Sequence, residues 1–303
     1  MKSDKKRNRL SIYFYGYSLV SIFTFMLTVS GCAGKGKEQE KVYQETGMFE
    51  WAEEAVREPE EALHLAEKLE ITRWYQETDG TTEAESTREF VKVLHNNNIE
   101  VYALLGAVEW GYEENGATLL AHLEKIVQYN MQSSEKERFD GVMLDIEPYI
   151  SDYWKENPEE YMDRYISCMK KGYKFAQKNH LRTAICIPRH YDDQGLTAGL
   201  EELIKETCDE VAVMNYSCGN EIEAIKTEAV LSEKYGKELH CILEFQEVGK
   251  HGLTEKETYR NKGIDNAKET WEELQKEYEN INVIRDYHWS SPVREMLEEK
   301  DAD

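Results

Sequence analysis

Phe139-Asp140-Gly141-Val142-Met143-Leu144-Asp145-Ile146-Glu147-Pro148-Tyr149 reads as a buried strand that ends in two acids one residue apart. Successive side chains of a strand point to opposite faces, so Met143, Asp145 and Glu147 share one face while Val142, Leu144 and Ile146 take the other. So continuous an apolar run suits a parallel strand whose outer face is covered by helices. Charge is costly on such a strand unless it sits at the end where a ligand binds. The stretch therefore predicts a carboxylate pair at the C-terminal rim of a β/α sheet or barrel, where active sites gather.

Working outward, apolar strand-like runs alternate with charged amphipathic ones to the end of the chain, the pattern of repeated βα units. Strands are expected at Gly47-Trp51, Ile71-Tyr75, Ile99-Leu105, Gly141-Ile146, Arg182-Ile187, Glu210-Tyr216, His240-Phe245 and Val283-His288. Helices are expected near Pro59-Lys68, Ser86-Asn96, Ala117-Asn130, Pro158-Asn179, Leu200-Thr207, Ile222-Tyr235, Glu255-Tyr278 and Pro292-Glu299. Eight βα pairs close most naturally into an α/β fold of the (β/α)8 TIM-barrel kind, and about 270 residues is an ordinary length for one. An open doubly wound sheet usually carries a Gly-rich first turn, and none follows the early strands. No Pro/Gly/Ser-rich linker divides the run, so residues 46–303 are read as a single domain.

The N-terminus carries a different signal. Lys2 to Arg9 hold five basic residues and one acid, an apolar run from Leu10 to Thr28 follows, and Val29-Ser30-Gly31-Cys32 comes next. A basic segment, an apolar segment and small residues before a cleavage point make a secretory signal, here residues 1–31. The cysteine after the small pair resembles the lipobox of bacterial lipoproteins, which implies acylation of Cys32 and a membrane anchor. An uncleaved membrane span is the alternative. Residues 32–45 form the lipidated Cys32 and a polar linker, and the barrel is expected outside the cytoplasmic membrane.

The whole chain carries a net charge of −23, and the part after residue 31 is near −27 once the five basic residues and one acid before it are removed. Such acidity repels phosphate backbones, so nucleic acid is not an expected partner. Cys168, Cys186, Cys208, Cys218 and Cys241 show no CxxC spacing, which implies neither a disulfide framework nor a zinc site. Cys186 and Cys241 fall within expected strands and read as small buried apolar residues. No metal or organic cofactor is called for.

The segments after the third, fourth and fifth strands are rich in groups suited to a sugar: Glu109, Trp110 and Tyr112; Tyr149, Asp152, Tyr153 and Trp154; Arg189, His190 and Tyr191. Sugar C–H faces stack on rings and sugar hydroxyls need hydrogen bonds. Asp140-Gly141-Val142-Met143-Leu144-Asp145-Ile146-Glu147 resembles the fourth-strand signature of glycoside hydrolase family 18, the chitinases and their relatives. That resemblance implies Glu147 as proton donor and Asp145 as the group that orients a substrate N-acetyl group. Met214-Asn215-Tyr216 resembles the family's sixth-strand Met-x-Tyr, and Trp289 sits where its eighth strand ends in Trp. Met143 stands where that family has an Asp. The chain also resembles a bacterial group of glycosidase-like barrels with Asp-Ile-Glu-Pro on the fourth strand, Met-x-Tyr on the sixth and Glu on the seventh, here Glu244.

A seventh-strand Glu is also the layout of the large retaining clan of barrel glycosidases, which implies Glu244 as nucleophile or base. A retaining pair lies about 5–5.5 Å apart, and wider spacing suits inversion. The expectation is a surface-tethered glycoside hydrolase acting on an oligo- or polysaccharide of a cell wall or the environment. Glu147, Asp145, Glu244 and Tyr216 are its candidate catalytic residues; Asn215, Trp289, His288, Tyr149 and Trp110 are its candidate substrate-binding ones. A structural role for Asp145, as a helix cap or the partner of Arg189, a rim salt bridge for Glu244 and an Asn215 that faces the helices are the plain alternatives. The competing function is a glycan-binding lipoprotein that has lost catalysis, which Met143 favours and Glu147 opposes.

Overall fold

The computed structural model describes residues 45–78 and 84–302, so the expected signal segment, Cys32 and nearly all of the linker lie outside the described residues. Eight parallel strands close into a barrel in strict sequence order: β1 (Thr46–Glu50), β2 (Arg73–Glu77), β3 (Glu100–Leu105), β4 (Gly141–Leu144), β5 (Arg182–Pro188), β6 (Glu210–Met214), β7 (Glu238–Glu244) and β8 (Val283–His288). Around them lie α1 (Glu54–Arg57), α2 (Pro59–Leu69), α3 (Ala84–Asn96), α4 (Ala117–Met131), α5 (Asp152–Glu156), α6 (Pro158–Lys178), α7 (Thr197–Glu206), α8 (Glu221–Ala224), α9 (Lys226–Tyr235), α10 (Ile264–Glu277) and α11 (Ser290–Ala302). The fold is the (β/α)8 TIM barrel that the alternation predicts.

Boundaries differ where local hydrogen bonds outvote the apolar pattern. Ile71, expected to open the second strand, completes the end of α2 instead: Glu70 adopts φ 56° and the Ile71 N–H donates to Ala66 O at 2.8 Å. The helix expected from Glu255 begins only at Ile264. The chain before it folds back on β7, with Glu244 bridging Thr258 and the Tyr259 N–H donating to Glu244 O at 2.7 Å. The helix expected over Ile222–Tyr235 is interrupted at Ile225 (φ −121°, ψ 18°), and the short helices α1 and α5 have no counterpart in the expected set.

Side-chain alternation divides the core in two. Val142, Leu144 and Ile146 belong to the layer between strands and helices, in one cluster with Leu119 and Leu123 of α4 and Tyr165 and Met169 of α6. Met143 lies in the barrel interior with Phe49, Tyr75, Tyr102, Leu104, Ala184, Cys186, Ala212 and Ile242. The register read from the sequence of β4 is the observed one. Cys186 and Cys241 are buried without disulfides, as are Cys168 and Cys208.

Below this apolar level the interior is ionic. Glu210, fully buried, accepts from Arg73 Nη1 at 2.6 Å, His240 Nε2 at 2.8 Å and Tyr102 Oη at 2.8 Å, and pairs with Arg182. The other ring nitrogen of His240 donates to Asp286 Oδ2 at 2.8 Å, and Tyr75 Oη donates to Asp286 Oδ1 at 3.0 Å. A side chain at Gly47 would strike both Asp286 Oδ1 and Tyr75 Oη, so only glycine leaves β1 room for this bond. Burial alone raises a carboxyl, yet the hydrogen bond and charge of His240, with Arg73 and Arg182, bring Glu210 down to about 2. Burial alone lowers an imidazole, yet Asp286 and Glu210 push His240 up to about 9.

The linkage has a definite sign. An ordinary His near 6.5 that rises to about 9 on folding contributes stability that is complete below about pH 6.5 and lost as the pH rises through about 9. Glu210 contributes above about pH 4.5 and loses its contribution as the pH falls through about 2. His240→Gln is expected to cost about 3–5 kcal/mol at pH 6, because it leaves the buried Asp286 carboxylate without a cation, while Glu210 keeps Arg73 and Arg182. Melting temperatures from pH 6.5 to 9 should fall less steeply in that variant than in the parent chain. Parallel profiles would remove His240 as the source of the alkaline loss.

Candidate active site

The acids follow directly from the geometry of β4. Its ladder ends at Leu144, but the Asp145 N–H still donates to Leu105 O at 2.8 Å, which carries the extended conformation and its alternation one residue further. Gly106 makes this approach possible: a side chain there would strike the Asp145 carbonyl oxygen. Pro148 then opens a single 3-10 turn, Pro148–Ile150, so the strand stops just after Glu147.

Asp145 is half-buried, and its Oδ1 is buried with no hydrogen-bond partner. Burial first, and the charge of Glu147 second, push its carboxyl up to about 7, with His288 working in the opposite direction. Glu147 is half-buried and accepts a hydrogen bond from Tyr149 Oη. Burial and the same Glu147 charge hold the Tyr149 phenol in its protonated form, so it remains a donor. Asp145 thus retains its proton towards neutral pH beside a second carboxyl, a disposition that acid/base chemistry uses.

Glu244 and His288, paired across β7 and β8, form the opposite wall. Glu244 is only 2% exposed, and its carboxylate is fully engaged. Oε1 accepts the Phe245 and Gln246 N–H groups at 2.7 and 2.8 Å; Oε2 accepts His288 Nδ1 at 2.9 Å and Gln246 Nε2 at 3.1 Å. Burial works to raise this carboxyl, but the bonds from His288 and Gln246 outweigh it and hold it below the usual range. His288 is displaced upward despite its burial, by Glu244 first and then by Asp145 and Glu147.

Tyr216, two residues past β6, packs against the interior cluster and lies 5.8 Å, ring to ring, from His288. Burial and the charges of Glu244, Asp145 and Glu147 keep its phenol protonated. Trp289 packs against the interior cluster and also lines a cavity of about 310 Å³ with Glu50, Ser290 and Arg294. The structure therefore brings Asp145, Glu147, Tyr149, Tyr216, Glu244, His288 and Trp289 to one end of the barrel.

Two expected residues go elsewhere. Asn215 is fully buried on the outer face of β6, where alternation between Met214 and Tyr216 must put it, and its Nδ2 donates to Glu221 O at 2.9 Å and Cys241 Sγ at 3.5 Å. Trp110 packs on the strand–helix layer and stacks on His122 of α4 with centroids 4.4 Å apart. Trp51, absent from the expected set, does belong here, packed on the interior cluster 6.4 Å from His288, and His190, one of the sugar-suited groups expected after the fifth strand, meets Tyr149 edge-on at 5.3 Å. The alternation Gly47, Phe49, Trp51 is the signal that finds Trp51. Asp145 makes no pair with Arg189 among the described ion pairs. Among the described residues no group of three or more His, Cys, Asp and Glu is placed to hold a metal ion.

No protein-family model and no curated protein matches the chain. Solved structures do. A xylose isomerase domain protein from Planctomyces limnophilus is similar at 14% identity and a TM-score of 0.52, covering 86% of this chain and 95% of that one. A D-tagatose 3-epimerase-like protein is similar at 13% identity and 0.51, covering 86% and 96%. Catalytic domain 2 of a Group II chitinase from Ostrinia furnacalis reaches 10% identity and 0.49, covering 82% and 90%. At such identities the first two speak for the barrel architecture alone.

A protonated carboxyl has its own infrared carbonyl band. Asp145 is expected to show one that fades as the pH rises through about 7 and is missing from Asp145→Asn. Infrared titration of the two proteins checks this, and an identical set of bands in both would return Asp145 to an ordinary surface acid.

Proposed function

We propose that this chain is a glycoside hydrolase whose chemistry resides in Asp145 and Glu147. The observation that carries the reading is the Asp145 carboxyl, raised to about 7 beside a second carboxyl on one inward face at the C-terminal end of the barrel. The coupled pair holds the proton that is donated: kept by Asp145 at rest and delivered through Glu147, it passes to the glycosidic oxygen as the bond to the anomeric carbon breaks. Asp145, ionised by the transfer, faces the positive charge that develops, and water adds to the anomeric carbon and returns a proton to the pair. Tyr216, a neutral donor, holds a substrate hydroxyl or carbonyl oxygen. Glu244 acts as a positioning residue: with four hydrogen bonds on its carboxylate, it fixes His288 and the start of the loop after β7. The resemblance of residues 140–147 to a chitinase signature supports a glycan as substrate.

Glu147→Gln keeps the shape and removes the transferable proton, so turnover should fall by about 10²–10⁴-fold with the melting temperature retained. The assay is release of reducing ends from a panel of glycans by residues 46–303. Glu244→Gln is expected to have a smaller effect and no rescue by azide; a collapse that azide restores would make Glu244 the nucleophile.

A second reading, a glycan-binding protein without turnover, draws on Met143, which is fully buried in the interior where the resembled signature has an acid. A binder would be retarded in affinity electrophoresis and release no reducing ends from the same panel.

For location, the sequence Val29-Ser30-Gly31-Cys32 after a basic and then an apolar segment supports a lipoprotein held outside the cytoplasmic membrane by acyl chains on Cys32. Cys32→Ser should accumulate precursor or release the protein from the membrane fraction. Unchanged mature size and unchanged detergent-phase partitioning would count against the anchor.

A further inference from the structure

Few large apolar side chains are left exposed among the described residues, and two of them, Ile150 (50%) and Tyr153 (59%), lie three positions apart just after the Glu147–Pro148 turn. Scattered exposed hydrophobes need no explanation, whereas clustered ones mark binding surfaces. Tyr153 does not stand alone. Its ring lies nearly parallel to that of Tyr161, at 18° with centroids 6.0 Å apart, and meets Tyr112 edge-on at 5.8 Å; Tyr112 and Tyr161 meet at 5.5 Å. The three rings come from three different elements: the turn after β3, α5 and the start of α6.

The cluster is held in place from below. Helix α5 has five residues, too few to be stable alone, and Trp154 anchors it: 2% exposed, it stacks on Tyr191 at 5.5 Å, and its backbone N–H donates to the Ser151 hydroxyl oxygen at 3.1 Å. With Trp154 fixed inward, Tyr153 is fixed outward. Tyr112 Oη donates to Pro148 O at 3.4 Å, which joins the rings to the residue that follows Glu147.

We propose that Tyr112, Tyr153 and Tyr161, with Ile150, form a platform for an uncharged stretch of glycan chain that runs from Glu147 out over the β3–β4 side of the barrel. This rests on reading Asp145 and Glu147 as a glycan site, and it makes a polymer, rather than a mono- or disaccharide, the substrate. Ring faces take the apolar faces of successive sugars and the tyrosine hydroxyls their polar edges. Asp152 pairs with Lys155 and Glu160 with Arg164, whose guanidinium lies 5.2 Å from the Tyr161 ring centroid. The exposed Glu156, Glu159 and Asp163 leave this face with an excess of negative charge that repels a polyanionic chain and favours a neutral one.

Tyr153→Ala removes the most exposed ring without opening the core. Affinity electrophoresis through gels of glycol chitin, hydroxyethylcellulose or xylan, with carboxymethylcellulose as the anionic control, measures binding without requiring turnover. Tyr153→Ala should weaken retardation by at least one neutral polymer about fivefold and raise KM for that polymer by a similar factor, leaving kcat and the hydrolysis of short glycosides unchanged. Retardation that depends on Tyr153 without release of reducing ends would keep the platform and remove the hydrolase reading. Equal binding by variant and parent, no retardation of the parent by any neutral polymer, or an equal loss on short and long substrates would overturn the platform. So would a parent chain that sediments as a dimer while Tyr153→Ala sediments as a monomer, since a second copy would then be the occupant.

Discussion

Charge inside the barrel is the constraint on which the rest of this structure depends. At the floor every buried acid has found a cation: Glu210 has Arg73, Arg182 and His240, and Asp286 has His240. At the opposite end two acids share one inward face, and His288, whose charge opposes the rise of Asp145, is already bonded to Glu244. The floor is balanced and the mouth is not. A balanced interior is a structural device, and an unbalanced one that persists is where chemistry is to be sought.

The apolar centre of the barrel separates the two. Phe49, Met143, Cys186 and Ile242 lie between the floor and the mouth. Low polarizability around Asp145 is what lifts its carboxyl, and the same layer shields Glu210 and His240 from water, which strengthens their pairing. One packing choice thus serves stability below and reactivity above.

The legible part of the sequence was whatever alternation or helical period expresses locally. The eight strands and the facing of β4 follow from runs such as Val142-Met143-Leu144, and Asp145 with Glu147 was visible because two acids interrupt that run at fixed spacing. The floor was not legible: Arg73, Glu210, His240 and Asp286 come from four strands, and only closure of the barrel makes them neighbours. The outward facing of Asn215 was one of the two readings open in the sequence, and period two, which puts it opposite Tyr216, is the reason it holds. Trp110 could not, because its stacking on His122 depends on where α4 lies. The fold-back of Thr258 and Tyr259 on β7 is likewise a tertiary contact that charged, helix-favouring residues before Ile264 conceal.

Gly106 is solvent-exposed, in a segment after a strand, the kind of position where sequences usually drift freely. Yet the Asp145 carbonyl occupies the space where any side chain would begin. A chain that keeps this spacing of β3 and β4, and with it the placement of both acids, must therefore keep a glycine one residue past β3. Distant relatives, too diverged for overall identity to register, are better sought by a paired signature than by either half: glycine directly after the third strand, together with Asp-x-Glu-Pro closing the fourth.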